Sequence, residues 1–495
     1  MPPHYPAPMS SPDPRDAQIK PFNIFVIGTV AAMSGLLFGF DTGIIAGAQD
    51  SIAKTFGLAQ SALDAQAHRI AYPLSAAEVA RIEGFIVQAV PLGAFFGSLL
   101  SGWSAAKLGR QKSLLAAAAL FFAGTLIAAL AQNVDVLVGG RLIMGVAVGL
   151  SAMVAPMYLG EVAPPKVRGT LIFMFQLAIT IGLLLAFLAG LGLDQWMKPT
   201  VAWRTMFLLG LVPSLILALG MLRLPDSPRW MLMKGLTDEA KNVLRRLHGK
   251  YDVGDEMNEI RASVERESGG LGDVFRRPIL GLLGVAFFLM VFQQLTGINA
   301  IMYYGPQVFS DAGFSDTAKY AAQAIMGAVN VGVTVLGVRL IDRLGRRPLL
   351  FISFAGMIVC LGIEAVCLQT AGKTPSPLMT YTIFGAVLLF IAFFAVGAGG
   401  VPWVMLAELF PNRVRAPGMA IAVVGNWSID AVVSQTFPML KVSFGMGATF
   451  GLYAAASVLG IFFINSFVPE TKNRRLEHLE SNLYAGKKLR DLGAE

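Results

Sequence analysis

Long apolar runs separated by short polar joints fill most of the chain. Twelve of them, at approximately 22–47, 81–104, 113–131, 135–160, 168–192, 203–223, 278–310, 318–342, 347–369, 378–407, 415–442 and 447–468, are long enough to cross a bilayer as helices. They divide six and six around one longer polar stretch. The pattern therefore predicts an all-α membrane protein with a first half at 22–223, a cytoplasmic linker at 224–277 and a second half at 278–468, flanked by tails at 1–21 and 469–495. Within the linker, Ala240, Val243, Leu244 and Leu247 recur at helical spacing behind an acidic first turn at Asp238 and Glu239, which predicts a short amphipathic helix over Thr237 to His248. The first external loop, Asp50 to Ala80, is long enough to hold short helices of its own.

The two halves share more than their number of runs. Lys107-Leu108-Gly109-Arg110-Gln111-Lys112 is echoed by Arg343-Leu344-Gly345-Arg346-Arg347-Pro348, and Glu161, Pro164 and Arg168 by Glu408, Pro411 and Arg415 at the same internal spacing. The offsets are 236 and 247 residues, about half the chain. An internal repeat of this size in a membrane chain points to a transporter whose halves rock around a shared central site.

Composition agrees. The chain is 55% apolar and 14% charged, with a mean hydropathy of +0.63, more apolar surface than a soluble domain could hide. The net charge of +8 does not point to nucleic acid, because most of the 39 Lys and Arg fall on one side of the predicted membrane, which makes that side, with both termini, cytoplasmic. Met1 to Lys20 is Pro-rich and polar, so no cleavable signal is expected. Cys360 and Cys367 lie in one apolar run and read as small hydrophobes. No phosphate-cradling glycine loop, nucleophile–base pair or metal-ligand cluster supports an enzyme. Gly93, Gly97 and Ser101 in the second run and Gly145 and Gly149 in the fourth have the spacing of close helix packing.

Charged groups at bilayer depth cost about 2.5–3.5 kcal/mol each on insertion scales and need a reason to be there. Asp41 sits deep in the first run and Arg141 near the start of the fourth. The two could form a fixed ion pair, or Asp41 could exchange Arg141 for a proton and act as a coupling carboxylate. The four histidines lie outside the runs, so a proton relay would be carboxylic. Asp430 and Glu364 also lie within runs. Glu161 and Glu408 lie at cytoplasmic ends, each seven residues before an arginine, and suit a latch that pairs with loop arginines in one conformation. The seventh run concentrates polar groups, Gln293, Gln294, Asn299, Tyr303 and Tyr304. A break near Gly297 would let them converge, as at other transporter sites. Asn330, Asn426, Trp403 and Trp427 add amides and indoles. Amides that both donate and accept, beside aromatic faces, suit a neutral polyhydroxyl ligand such as a hexose.

The chain resembles the sugar porters of the major facilitator superfamily over nearly its whole length. The resemblance rests on Pro156-Met157-Tyr158 with Glu161-Val162-Ala163-Pro164 and Arg168-Gly169, on Leu224-Pro225-Asp226-Ser227-Pro228-Arg229, on the stretch 293–304, on Pro402-Trp403 with Glu408-Leu409-Phe410-Pro411, and on Val468-Pro469-Glu470-Thr471-Lys472. It implies the major facilitator fold, with Asp41 as the protonated carboxylate and Arg141 as its partner. It implies sugar contacts from Gln176, Gln293, Gln294, Asn299, Asn330, Trp403 and Asn426, with Phe38, Phe394 and Trp427 as aromatic positions in or near the cavity; Tyr303, from the polar cluster of the seventh run, joins the candidate sugar-binding residues. The cytoplasmic gate would comprise Arg110, Glu161, Arg168, Asp342, Arg343, Arg346, Glu408 and Arg415. Ala106 departs from the family pattern, in which the first loop motif carries an acid as the second copy does at Asp342. Leu183 stands where xylose-transporting relatives have Gln. Asp430 stands where Asn is expected, as either a neutral, hydrogen-bonded acid or a second titrating group, and the first is favoured.

Together these readings predict a proton-coupled symporter that imports galactose or glucose across a bacterial inner membrane, works as a monomer, needs no cofactor beyond the proton and binds no nucleic acid. A passive facilitator of the same fold is the nearer alternative, and a non-transporting sugar sensor the remoter one.

Overall fold

The computed structural model describes residues 22–58, 74–164, 167–250, 252–266, 271–372, 375–472, 474 and 476–493, and every regular element among them is helical. Twelve helices have the length and hydropathy of membrane spans: Ile24–Phe56, Ala76–Leu108, Arg110–Ala129, Val134–Val162, Arg168–Trp196, Pro199–Met221, Ile279–Asp311, Asp316–Ile341, Arg346–Thr370, Pro377–Leu409, Arg415–Phe444 and Met446–Phe467. Each predicted run has its helix. The first helix runs on to Phe56, so Asp50 and Lys54 are helical rather than part of a loop. His68 and Arg69, with most of the loop expected to hold short helices, lie outside the described residues.

The packing explains how two sets of six become one body. In the first half the first span lies along the fifth and the second along the fourth; in the second half the ninth lies along the twelfth and the seventh along the eleventh. The halves meet where the eleventh span lies along the second and the eighth along the fifth. In lipid no hydrophobic drive pulls helices together, so close backbone approach has to. The predicted glycines provide it. A Cβ on Gly93 would stand 2.9 Å from the Gly145 Cα, and one on Gly97 2.9 Å from the Leu150 nitrogen.

Between the sixth and seventh spans lie four short helices, Pro228–Met233, Thr237–His248, Gly254–Arg266 and Leu271–Val274. The predicted amphipathic helix buries Ala240, Leu244 and Leu247. Leu244, Val253 and Met257 form a small core of their own, with Leu232 and Ile260 packed against it.

Three spans are interrupted, the sixth between Pro199–Leu209 and Leu211–Met221, and the seventh and tenth more deeply. The seventh consists of Ile279–Leu295 and Ile298–Asp311, joined through Gly297 at φ 80°, where a Cβ would also come within 2.6 Å of the Tyr453 ring. Only glycine fits there. The tenth passes from Pro377–Phe393 into a π-helical turn, Phe394–Ala398, before resuming as Val401–Leu409. Such a turn leaves carbonyl groups without their helical donors.

Candidate functional site

Those freed carbonyls anchor a cluster of amides. Gln293 donates from Nε2 to the Ala398 carbonyl at 2.6 Å. Its Oε1 accepts from Asn426 Nδ2 at 2.7 Å, Asn426 Oδ1 accepts from Gln294 Nε2 at 3.2 Å, and Gln294 Oε1 accepts from Asn299 Nδ2 at 2.9 Å. The seventh, tenth and eleventh spans thus hold four of the predicted sugar-binding amides in one connected network. Gln294 uses one amide hydrogen within it and keeps the second for another acceptor, while Asn299 also reaches the Asp430 carboxyl group. Phe38 of the first half meets Trp427 of the second, with ring centroids 5.4 Å apart.

Other predicted residues stand outside this network. Gln176, Asn330 and Trp403 lie on the fifth, eighth and tenth spans and make no side-chain hydrogen bond among the described residues, and Phe394 opens the π-helical turn. Tyr303 departs from the expected grouping. Its hydroxyl donates to Asp430 Oδ2 at 3.3 Å, and its backbone carbonyl accepts from Gln49 Nε2 of the first half at 3.1 Å.

The predicted coupling pair assembles within the first half. Arg141 Nη1 lies 3.7 Å from Asp41 Oδ1, with both side chains buried. The contact is an ion pair without a hydrogen bond, since neither Asp41 oxygen has a hydrogen-bond partner among the described residues. Arg141 is held by its Nε, which donates to the Ile86 carbonyl at 2.8 Å, and it faces the Phe207 ring. This arrangement fixes the guanidinium and leaves the carboxylate able to trade it for another partner. Glu364 is equally buried, with neither oxygen hydrogen-bonded among the described residues.

The repeated motifs meet at one end of the bundle, each copy within its own half. Arg110 Nη2 donates to Glu161 Oε1 at 2.7 Å. Arg346 grips Glu408 with two bonds, Nη2 to Oε1 at 2.7 Å and Nε to Oε2 at 3.1 Å. Each glutamate is therefore paired with the arginine of the glycine motif. The arginine seven residues on is not its partner among these contacts, and Arg168 is exposed. Gly109 and Gly345 turn the chain at φ 92° and 97°. Directly after each, a carboxylate caps the next span: Asp226 Oδ1 accepts from the Arg110 amide at 2.8 Å, and Glu470 accepts from the amides of Arg346 and Arg347 at 3.1 and 3.0 Å. An anion at a helix N-terminus satisfies orphan donors and the helix dipole together. Arg343 is exposed, and its carbonyl accepts from Lys472. Arg415 begins the eleventh span. The Asp342 side chain lies outside the described residues. Ala106 contributes its carbonyl, which accepts from Trp230 Nε1 at 3.0 Å.

Side-chain bonds between the halves gather at the opposite end. Lys319 Nζ donates to Asp50 Oδ2 at 2.7 Å, and Tyr320 donates to the same oxygen at 3.1 Å. Gln307 donates to Gln49 at 3.1 Å, and Gln435 to the Arg81 carbonyl at 3.3 Å. The sequence placed Asp226 and Glu470 in family motifs without assigning them a role, and assigned no role to Gln49, Asp50, Lys319 or Tyr320. A signal existed for the first two, because each follows a proline at the end of the last span of its half. The others have none, being polar residues near helix ends like many more.

The profile of the family described as sugar (and other) transporter matches residues 27–483. The chain belongs to this sugar transporter family. It is 38% identical to the galactose-proton symporter of Escherichia coli K12 over 95% of this chain and 96% of that protein. It is 36% identical to the arabinose-proton symporter of the same strain, over 95% of each. Among solved structures, a partially occluded inward-open conformation of the E. coli xylose transporter matches with a TM-score of 0.78 at 31% identity, covering 91% of this chain and 99% of that one. A sugar transporter with twelve spans is a multi-pass membrane protein and not an enzyme, and its two halves are those of the major facilitator fold.

Proposed function

We propose that this sugar transporter is a proton-coupled hexose symporter of the bacterial inner membrane, importing galactose or glucose by alternating access as a monomer. The observation that carries the coupling is the buried Asp41–Arg141 pair, 3.7 Å apart and without a hydrogen bond. A proton on Asp41 replaces the arginine as partner at little structural cost. The relatives named as proton symporters for galactose and arabinose support the same reading. Leu183, buried in the fifth span where a pentose-selective relative would have Gln, favours a hexose.

The positive-inside bias puts the arginine–glutamate end, the linker helices and both tails in the cytoplasm. The end tied by Asp50 and Lys319 is then external and closed, so this conformation faces inward. Protonated Asp41 and sugar bind from outside, the halves rock, and both are released inside. Arg141 then re-pairs with Asp41 and lets the empty carrier return. The amide cluster reads hydroxyls, while Phe38 and Trp427 offer ring faces to sugar C–H groups. The glutamate–arginine pairs act as cytoplasmic latches. One charge crossing the membrane supplies about 2.3 kcal/mol per 100 mV, which supports roughly fifty-fold accumulation at about 1.4 kcal/mol per decade.

The test is sugar-induced alkalinisation of a weakly buffered suspension of cells expressing the protein, with galactose, glucose, xylose and arabinose compared. Alkalinisation by the hexoses supports the reading. Uptake without alkalinisation makes the protein a passive facilitator, and a response to pentoses alone overturns the hexose assignment.

A further inference from the structure

Asp430 is fully buried in the eleventh span, one turn beyond Asn426. Three side chains meet its carboxyl group, the Asn299 amide among them. The Tyr303 hydroxyl is 3.3 Å from Oδ2, and Ser434 Oγ is 3.3 Å from Oδ1. A serine has one hydroxyl proton. Ser434 Oγ lies 2.7 Å from the carbonyl oxygen of Asp430, a much shorter contact, so its proton goes there. A serine lone pair then faces Oδ1. That contact is attractive only when the proton between them belongs to the carboxyl group.

No cation among the described residues acts on this carboxyl group. Among the described residues, the titratable groups near this part of the helix are Tyr303 and Tyr304 of the seventh span and Tyr453 of the twelfth, with Glu83 of the second span beyond Tyr304. Tyr304 donates to the Ser434 carbonyl. Asp41 and Arg141 act on Tyr303 and are paired with each other. Lys441, near the end of the same helix, is engaged by Asp311 at 3.0 Å. An ionised Asp430 would have two neutral donors, Asn299 and Tyr303, and no cation among the described residues, with the Ser434 lone pair set against it. A neutral acid satisfies both oxygens, donating to Ser434 and accepting from Tyr303.

We propose that Asp430 is a permanently protonated positioning residue, which holds Tyr303 and the half-helix carrying Asn299 in place and leaves the coupled proton to Asp41. Tyr303 is suited to this role because it is tied to both halves, through its hydroxyl to Asp430 and through its carbonyl to Gln49. Two buried carboxyl groups in one transport path then have separate tasks, set by the presence or absence of an arginine. The inference rests on Asp41 being the coupling group.

The experiment compares Asp430→Asn, Asp430→Ala, Tyr303→Phe and Asp41→Asn in energised vesicles, measuring KM, the pH profile of uptake and protons taken up per sugar. Asparagine can still accept from Tyr303 and donate to Ser434, so Asp430→Asn is expected to keep the wild-type pH profile and proton-to-sugar ratio. Asp430→Ala and Tyr303→Phe are each expected to raise KM about tenfold, with the ratio unchanged. A shifted profile or lower ratio in Asp430→Asn overturns the inference, because the group then titrates during transport. An unchanged KM in Tyr303→Phe overturns the positioning role, even if Asp430→Ala fails to fold. If Asp41→Asn still accumulates sugar, the coupling reading fails and takes this inference with it. If only Asp430→Asn loses accumulation relative to the expectation, the coupling reading stands and this inference falls.

Discussion

Lys319 of the eighth span reaches Asp50 of the first at 2.7 Å, tying the second half of the protein to the first. Lys319 is nine-tenths buried and also meets the exposed carboxylate of Asp316 at 3.1 Å. The halves cannot separate at this end without parting Lys319 from Asp50 and Tyr320 from the same oxygen. Lys319→Met should therefore shift the conformational balance towards opening at this end. Spin labels on the exposed positions Lys54 and Thr317 report it. Their distance distribution is expected to move to longer values in Lys319→Met and to stay with the wild type in Asp316→Asn, which leaves the cross-half bond intact. Identical distributions in wild type and Lys319→Met would exclude a latch.

Asp41→Asn removes the charge that pairs with Arg141 while preserving shape. Uphill accumulation should be lost, whereas equilibrium sugar binding and exchange across the membrane should persist within a few-fold of wild type. Accumulation ratios and counterflow in proteoliposomes separate the two. Preserved accumulation would remove Asp41 from the coupling step.

Arg346 binds Glu408 through two nitrogens, and Thr471 adds a further bond to Glu408. Lysine cannot reproduce that fork. Arg346→Lys is expected to slow uptake roughly three- to tenfold, a weakening of about 1 kcal/mol, with sugar affinity in detergent little changed. Arg110, which reaches Glu161 through a single nitrogen, should tolerate lysine better. Equal losses at the two sites would show that the bidentate geometry does not matter.

Gly297→Ala places a Cβ at positive φ, worth about 1–2 kcal/mol of backbone strain, and pushes it against Tyr453 at 2.6 Å. The purified variant should melt several degrees below wild type and bind sugar weakly. Adding Tyr453→Ala should not restore it fully, because the strain at φ 80° remains. A wild-type melting temperature for Gly297→Ala would mean that the break in the seventh span can close up without loss.

The break at Gly297 was legible in the chain, because a glycine set among amides at membrane depth marks where a span can turn to bring them together. The interruption of the tenth span was not. Phe394 to Ala398 is as apolar as a continuous helix, and the π-helical turn becomes evident only when Gln293, more than a hundred residues earlier, is found bonded to its carbonyl groups. The gate shows the same division. Arg110 and Glu161 were each visible as members of a repeat, but their spacing in the chain suggested Arg168 as a partner, and packing chose Arg110.

Hydropathy and repetition determined by themselves that this protein crosses the membrane twelve times in two related sets of six. Both properties follow from local chemistry, since a span must be apolar over its own length and a repeat is visible residue by residue. Tertiary structure decided which polar groups meet: Asp41 with Arg141, Gln293 with Asn426, Tyr303 with Asp430, Asp50 with Lys319. Each pair lies on helices far apart in sequence, and in a medium without water a polar group takes whichever partner packing brings within a hydrogen bond's length.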